Sequence, residues 1–454
     1  MTGLPGIGSL VRMRLRTWAG EIEEQGILLP PTAPEHLTMK LVNGYNISHP
    51  ESSLISVELI SEANQQDSED EISDSDSQDA NLPLVRILHT GGTIASRVDY
   101  ATGAVVARFE PEELLAAIPE LAVIARIEAV KLGNMWSDDI RPQHWNAMLA
   151  ASAEAFADGA AGVVVTHGTD TLAVSATALA FGWAGEGGGP PGRIVFTGSQ
   201  RSSDRGSSDA GENLIAAVHW AAHGPAPNGG LGDATVVMMH AGADDGAVVV
   251  LPGCSARKLH SSRRDAFKSV NAEVLAHVHV SRDGISHTLM PEYEAALKST
   301  PPRVSPGNEP TTYDGAIRVA QLLAGAHLHG DLITSVADAG YRALVIHGTG
   351  LGHLPIENAI GDAPENEELE AAISAAISGG LRIIIANQCI NGAVNMNVYS
   401  KGRRQQELGL LGQGGTSTPE AVVVKTHWSL SQGRDLSADL DSNLIGENPD
   451  RILS

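Results

Sequence analysis

Apolar and polar positions divide the chain into three regions. Near the start, Val11, Met13 and Leu15 alternate with Arg12, Arg14 and Arg16. Leu37, Met39 and Leu41, and then Ile55, Val57 and Leu59, repeat the same two-residue period. That is the pattern of short strands with one face buried. Gly26-Ile27-Leu28-Leu29 is an apolar run stopped by Pro30-Pro31, and Asn43-Gly44 has the composition of a tight hairpin turn. Four short strands in so little chain predict a small β-barrel over residues 1–60. From Leu84 the rhythm changes. Apolar runs at Val85–Leu88, Gly162–Val165, Ile194–Phe196 and Thr235–Met239 alternate with helical patterns such as Pro142–Ala157 and Asp209–His223. Strands apolar on both faces, separated by helices, predict a parallel sheet covered on either side.

Two boundaries interrupt this pattern. Residues 61–82 are Ser, Asp, Glu, Gln and Asn with almost nothing to bury, the composition of a disordered, self-repelling linker. Residues 292–312 are rich in Pro, Ser and Thr and end the α/β domain expected over 83–300. Beyond them Ala343–Ile346, Arg382–Ala386 and Ala421–Val424 read as strands, and Gly315–Ala324 and Glu367–Ser378 as helices. They predict a smaller C-terminal α/β domain over 313–454. The expected fold class is thus α/β: two parallel-sheet α/β domains preceded by a small N-terminal β-barrel.

Composition narrows the functions open to such a chain. Its 454 residues carry a formal charge of −24. Eight carboxylates between Glu62 and Asp79 account for part of it and leave −16 elsewhere. A surface this acidic does not carry the main footprint for a nucleic acid, which needs clustered cations. Cys254 and Cys389 are the only cysteines, so there is neither a disulfide framework nor a CxxC metal site, as expected of a cytoplasmic protein. No stretch approaches 18 uninterrupted apolar residues, so no membrane span is expected.

Four short stretches offer chemistry. Val85–Leu88 runs into His89-Thr90-Gly91-Gly92-Thr93, where adjacent glycines bring backbone N–H groups close to a small ligand and Thr93 supplies a hydroxyl. A second apolar strand runs into Thr166-His167-Gly168-Thr169-Asp170-Thr171. A hydroxyl and a carboxylate emerge there at the carboxyl edge of the sheet, although Asp170 or Thr171 would equally serve as a helix cap. Ala256–Asp265 holds Lys258 among Arg257, Arg263 and Arg264, and a lysine becomes a base when burial or nearby cations lower its pKa. Asn134–Asp139 brings Ser137 and Asp138, either as ligands for an amino-acid backbone or as a helix start before Pro142. The chain has no HExxH or paired CxxC, so no metal site is expected. Nor does it contain GxSxG, a Walker GxxxxGK[ST] or a strand-following GxGxxG.

Together, Thr90–Ile94 (TGGTI), His167–Thr171 (HGTDT) and Ala256–Ser262 (ARKLHSS) resemble, in matching order, the three signature blocks of the type I/II asparaginase–glutaminases. The N-terminal module, with Gly26–Pro30 and Leu37–Ile47, is similar to the extra domain of one branch, the D subunits of archaeal glutamyl-tRNA(Gln) amidotransferases. Ser262–Phe267 and Asn387–Gly392 also look like that branch. The resemblance implies two asparaginase-like domains and amide hydrolysis through a threonine nucleophile. Thr93 would attack the carboxamide of glutamine, with Tyr100 hydrogen-bonded to it. Thr169, Asp170 and Lys258 would form a proton relay. Ser137 and Asp138, with Asp170, would hold the α-carboxylate and α-ammonium of the substrate. Many family members carry Gln or Glu where this chain has Asp138. The resemblance also implies a partner, the amidotransferase E subunit, that uses ATP and Mg, binds most of the tRNA(Gln) and receives the ammonia. This chain itself would need no cofactor, and would form a homodimer within a heterotetramer. A free-standing L-asparaginase and an inactive amino-acid-binding scaffold are the alternative readings.

Overall fold

The computed structural model describes residues 5–17, 20–29, 36–41, 46–61, 78–92, 94, 96–98, 105–107, 115, 118–185, 188–201, 208–281, 284–300 and 309–449. Five strands form the N-terminal module: β1 (Leu10–Thr17), β2 (Gly20–Leu29), β3 (His36–Leu41), β4 (Asn46–Pro50) and β5 (Leu54–Ser61). They lie antiparallel in the order β4-β3-β2-β1-β5. The alternation in β1 works as expected: Val11, Met13 and Leu15 are buried against Leu28, Leu37 and Met39. Two details qualify the sequence reading. No pairing joins β4 to β5 among the described residues, so the pairings there make a five-stranded sheet and do not confirm its closure into a barrel. And in β5 the inward residues are Leu54 and Val57, while Ile55 and Leu59 are exposed. Irregularities at Leu10/Val11 and Arg14/Leu15 break the β1–β5 register, and a one-residue slip exchanges the faces of a strand.

Next come β6 (Leu84–His89), a short hairpin of β7 (Ser96–Val98) and β8 (Val105–Ala107), then β9 (Arg126–Lys131), β10 (Gly162–Thr166), β11 (Arg193–Thr197) and β12 (Val236–His240). β9-β6-β10-β11-β12 are parallel neighbours, the expected sheet. β13 (Ala247–Pro252) adds antiparallel to β12. A small ribbon of β14 (Ala256–Lys258) and β15 (Phe267–Ser269) follows, and then β16 (Ala276–Ser281) and β17 (Gly284–Leu289) extend the sheet antiparallel to eight strands. Alternate residues of each strand feed two cores. Leu88, Val163, Val165 and Phe196 face helices Pro142–Ala157 and Leu172–Ala184. Ile87, Val164, Val195 and Met238 face helix Ala210–His223. Burial on both faces explains why these runs are apolar throughout.

The C-terminal domain holds a parallel sheet of β18 (Val319–Leu323), β19 (Ala343–Gly348) and β20 (Arg382–Asn387). Its outline matches expectation, with two exchanges of type. Residues 315–324, expected as a helix, contain β18. Residues 421–424, expected as a strand, lie inside the helix Pro419–Ser431. Among the described residues no helix is long and apolar enough to cross a membrane, and both cysteines are free.

Candidate active site

The strand order creates the site. From β6 the chain moves to β9 on one side, then crosses back to β10 on the other. Connections that diverge in this way leave a crevice at the carboxyl ends of the two strands. Thr90 follows β6, Thr166 ends β10, and the two are laced together: the Thr90 amide donates to the Thr166 carbonyl at 3.1 Å, and its hydroxyl to the same oxygen at 3.0 Å. His89 Nδ1 contacts Thr166 Oγ1 at 2.7 Å.

Two glycines allow the turns to touch. Gly91 (φ 137°) and Gly92 (φ 84°) lie in the left-handed region. A Cβ on Gly91 would overlap the Met135 carbonyl oxygen, and one on Gly92 would meet the Gly168 nitrogen at 3.0 Å. The TGG turn therefore packs backbone to backbone on the HGT turn, a contact only glycine permits. Thr93 and Tyr100 lie outside the described residues.

The second and third blocks meet, although 88 residues separate Asp170 from Lys258. Lys258 Nζ donates to Thr169 Oγ1 at 2.8 Å and to Asp170 Oδ1 at 2.8 Å. The lysine side chain is only 15% exposed while that of Asp170 is 71% exposed, so the pair joins an open carboxylate to a covered ammonium. β14 ends at Lys258, and its pairing with the buried Phe267 on β15 fixes where the lysine starts. The three arginines near it in sequence serve elsewhere. Arg257 pairs with Glu420, Arg263 with Asp265 and Arg264 with Asp245. Each is matched by its own carboxylate, so their charge is not focused on the lysine.

Ser137 and Asp138 open a single 3₁₀ turn, Ser137–Asp139. Ser137 is buried, and a Cβ on Gly168 would meet its hydroxyl oxygen at 3.0 Å. Thr171 Oγ1 donates to the Ser137 carbonyl at 2.5 Å, so this hydroxyl ties the two loops together instead of capping its own helix. Asp138 is exposed at the rim. The structure thus brings Thr169, Asp170 and Lys258 into hydrogen-bond contact and sets Ser137 against the same turn.

Sequence reasoning missed His167. This residue is fully buried, and burial lowers its pKa to about 4, so it is neutral. Nδ1 donates to the Gly168 carbonyl at 2.7 Å, which leaves Nε2 to accept from Ser175 Oγ at 2.9 Å. Ser175 in turn accepts from Trp145 Nε1 at 3.1 Å. The imidazole is a strut for the turn that carries Thr169. Its position at the end of an apolar strand, before a glycine, was the available signal.

Comparison with known proteins gives the family. Residues 84–289 match the family model described as "Asparaginase, N-terminal", and residues 318–438 the "Glutaminase/Asparaginase C-terminal domain". The chain is 36% identical over 434 residues to the glutamyl-tRNA(Gln) amidotransferase D subunit of Thermococcus kodakarensis, covering 95% of this chain and 91% of that protein. The D subunit of Thermofilum pendens is 36% identical over 436 residues, 93% of this chain and 88% of that one. Among solved structures, the thermostable L-asparaginase from Thermococcus kodakarensis superposes with a TM-score of 0.63 at 29% identity, covering 80% of this chain and 98% of that one. L-asparaginase I from Vibrio cholerae gives 0.61 at 23% identity, covering 82% of this chain and 100% of that one, a likeness of fold.

Proposed function

The chain belongs to the asparaginase–glutaminase family, and from that premise we propose that it is the glutamine-hydrolysing D subunit of a glutamyl-tRNA(Gln) amidotransferase. One observation carries the choice within the family. The solved asparaginase is covered almost completely yet leaves a fifth of this chain unmatched, about the length of the N-terminal module and linker. The D-subunit relative from the same organism matches 95%, and the uncovered 5% is far shorter than that module.

In this reading Thr93 Oγ attacks the side-chain carboxamide carbon of glutamine, with Tyr100 taking part in removing its proton. The ester bond forms, the C–N bond breaks, and the nitrogen leaves as ammonia with the proton delivered to it. Water then attacks the acyl-threonine, releasing glutamate and restoring Thr93. The relay serves both halves. Lys258, held by Asp170, donates to Thr169 Oγ1. A hydroxyl that accepts from an ammonium is a better proton donor, and in the reverse sense its proton vacancy is refilled from the lysine. Backbone N–H groups of the two abutting glycine turns stabilise the oxyanion. Ser137, Asp138 and Asp170 hold the α-carboxylate and α-ammonium. The ammonia passes to a partner, the E subunit, which uses ATP and Mg²⁺ to convert Glu-tRNA(Gln) to Gln-tRNA(Gln); this chain needs no cofactor for its own step.

The test uses the complex purified with its partner. Thr93→Ala is expected to abolish glutamine-dependent amidation while ammonia-dependent amidation continues. Loss of both would contradict the assignment. Fast asparagine turnover by the isolated chain, indifferent to partner and tRNA, would favour the free-standing asparaginase instead.

A further inference from the structure

A second cluster of chemically competent side chains lies outside the relay, where β12 turns into β13. His240 ends β12, Asp245 sits in the connecting turn, and Glu212 projects from the first turn of helix Ala210–His223. One ligand atom from each lies within 4.8 Å of the others. The arrangement of His240 is the informative part. Its ring is fully buried, and Nδ1 lies 2.7 Å from Asn213 Oδ1. Asn213 Nδ2 donates to the Gly198 carbonyl and to Asp209 Oδ2, which fixes its amide so that Oδ1 must accept. In a neutral imidazole the proton is therefore on Nδ1, and the Nε2 lone pair points into the cluster. Nε2 has no hydrogen-bond partner there, although Glu212 Oε2 stands only 3.0 Å away. At that distance either a proton on Nε2 or a metal ion must bridge the two electron-rich atoms.

The surroundings suit a metal. A ligating histidine commonly donates its other N–H to an oxygen that sets its tautomer, the part Asn213 plays here. Glu212 Oε2 accepts the Gly246 amide at 2.9 Å, which ties the turn to the helix and orients the carboxylate. Asp245 is held by Arg264, and its side chain is 53% exposed, so the cluster opens to solvent on that side. Two carboxylates and one guanidinium leave one net negative charge, and an imidazole that ligates a metal through Nε2 adds none. One imidazole nitrogen with carboxylate oxygens suits Zn²⁺ and its first-row neighbours, whereas Mg²⁺ and Ca²⁺ prefer oxygen alone.

We propose that His240 Nε2, Glu212 and Asp245 form a binding site for a divalent transition cation of the Zn²⁺ type, with solvent completing its coordination. The ion clasps the β12–β13 turn to the start of helix Ala210–His223. None of its ligands is a relay residue, so the site stands independently of the amidase reading.

The experiment uses tag-free, full-length protein stripped with a chelator and dialysed. ZnCl₂ is titrated in competition with a chromophoric chelator, and thermal unfolding is followed with and without the ion. Wild type should take up one equivalent and melt higher with Zn²⁺, while Mg²⁺ at the same concentration does neither. His240→Asn and Glu212→Gln should weaken binding at least tenfold and lose the thermal shift. Should either fail to fold, Asp245→Asn, at a half-exposed side chain, supplies the same readout and should also bind more weakly. Cobalt in place of zinc should give a visible absorption band that these variants lack. Wild type that takes up no zinc would overturn the proposal, as would folded variants that bind it as tightly as wild type.

Discussion

At the scale of single residues, burial assigns roles that residue type leaves open. Lys258 and three arginines share one short stretch, yet the lysine alone turns to Thr169 and Asp170 while each arginine finds its own carboxylate. His167 offers the clearest test, because its neutrality is enforced. An unfolded imidazole protonates near pH 6.5, whereas the folded one resists until about pH 4. Above 6.5 both states are neutral and His167 makes stability indifferent to pH. As the pH falls from 6.5 towards 4, only the unfolded chain takes up the proton, and the fold loses up to about 3 kcal/mol from this group. His89, lowered to about 4 by burial and then by Lys131, acts in the same direction. Thermal unfolding between pH 7.5 and 4.5 should therefore show a shallower decline for His167→Gln than for wild type, from a lower starting point. Parallel profiles would show that the buried ring is not the titrating group.

At the scale of elements, the strand–turn junctions were legible because their signal is local. A continuous apolar run ending in Gly-Gly-Thr or His-Gly-Thr-Asp says both strand and edge. The two exchanges in the C-terminal domain show where such signals compete. Ala421–Val424 is β-branched and apolar, but Thr418 accepts the Ala421 amide through its side chain and Pro419 occupies the first turn, so a helix starts there. Residues 319–323 become β18 because Val319–Leu323 pairs in register with Ala343–His347, a long-range gain that overrides weak helical preference. Helix Pro419–Ser431 also anchors the segment around Ile445. Lys425 and Glu447 form a fully buried ion pair, and Glu447 accepts the Leu444 and Ile445 amides as well. Ile445 is thereby held in the core of the first α/β domain. Glu447→Ala strands the ammonium and is expected to cost about 3–5 kcal/mol. The loss should be measurable as a lower denaturant midpoint, and an unchanged midpoint would refute this account of the anchor.

At the scale of the whole molecule, the solved asparaginase covers 80% of this chain, and the match to the asparaginase N-terminal family model begins at residue 84, after the N-terminal module. Gln78 bonds Ile127 through both ends of its amide, so a shortened chain must begin before it. A chain starting in the linker is expected to fold and to hydrolyse glutamine. In complex with the partner it should support less glutamine-dependent amidation than the full chain. Equal amidation by both would remove the module from the reaction. The sequence alone determined the α/β rhythm, the glycine turns and the three blocks, because periodicity, turn chemistry and short motifs act over a few residues. Only the tertiary structure decided that Lys258 reaches Asp170 across 88 residues, which carboxylates neutralise the arginines, and that His240, Glu212 and Asp245 meet. Such contacts depend on strand order and register, which no local stretch of the chain encodes.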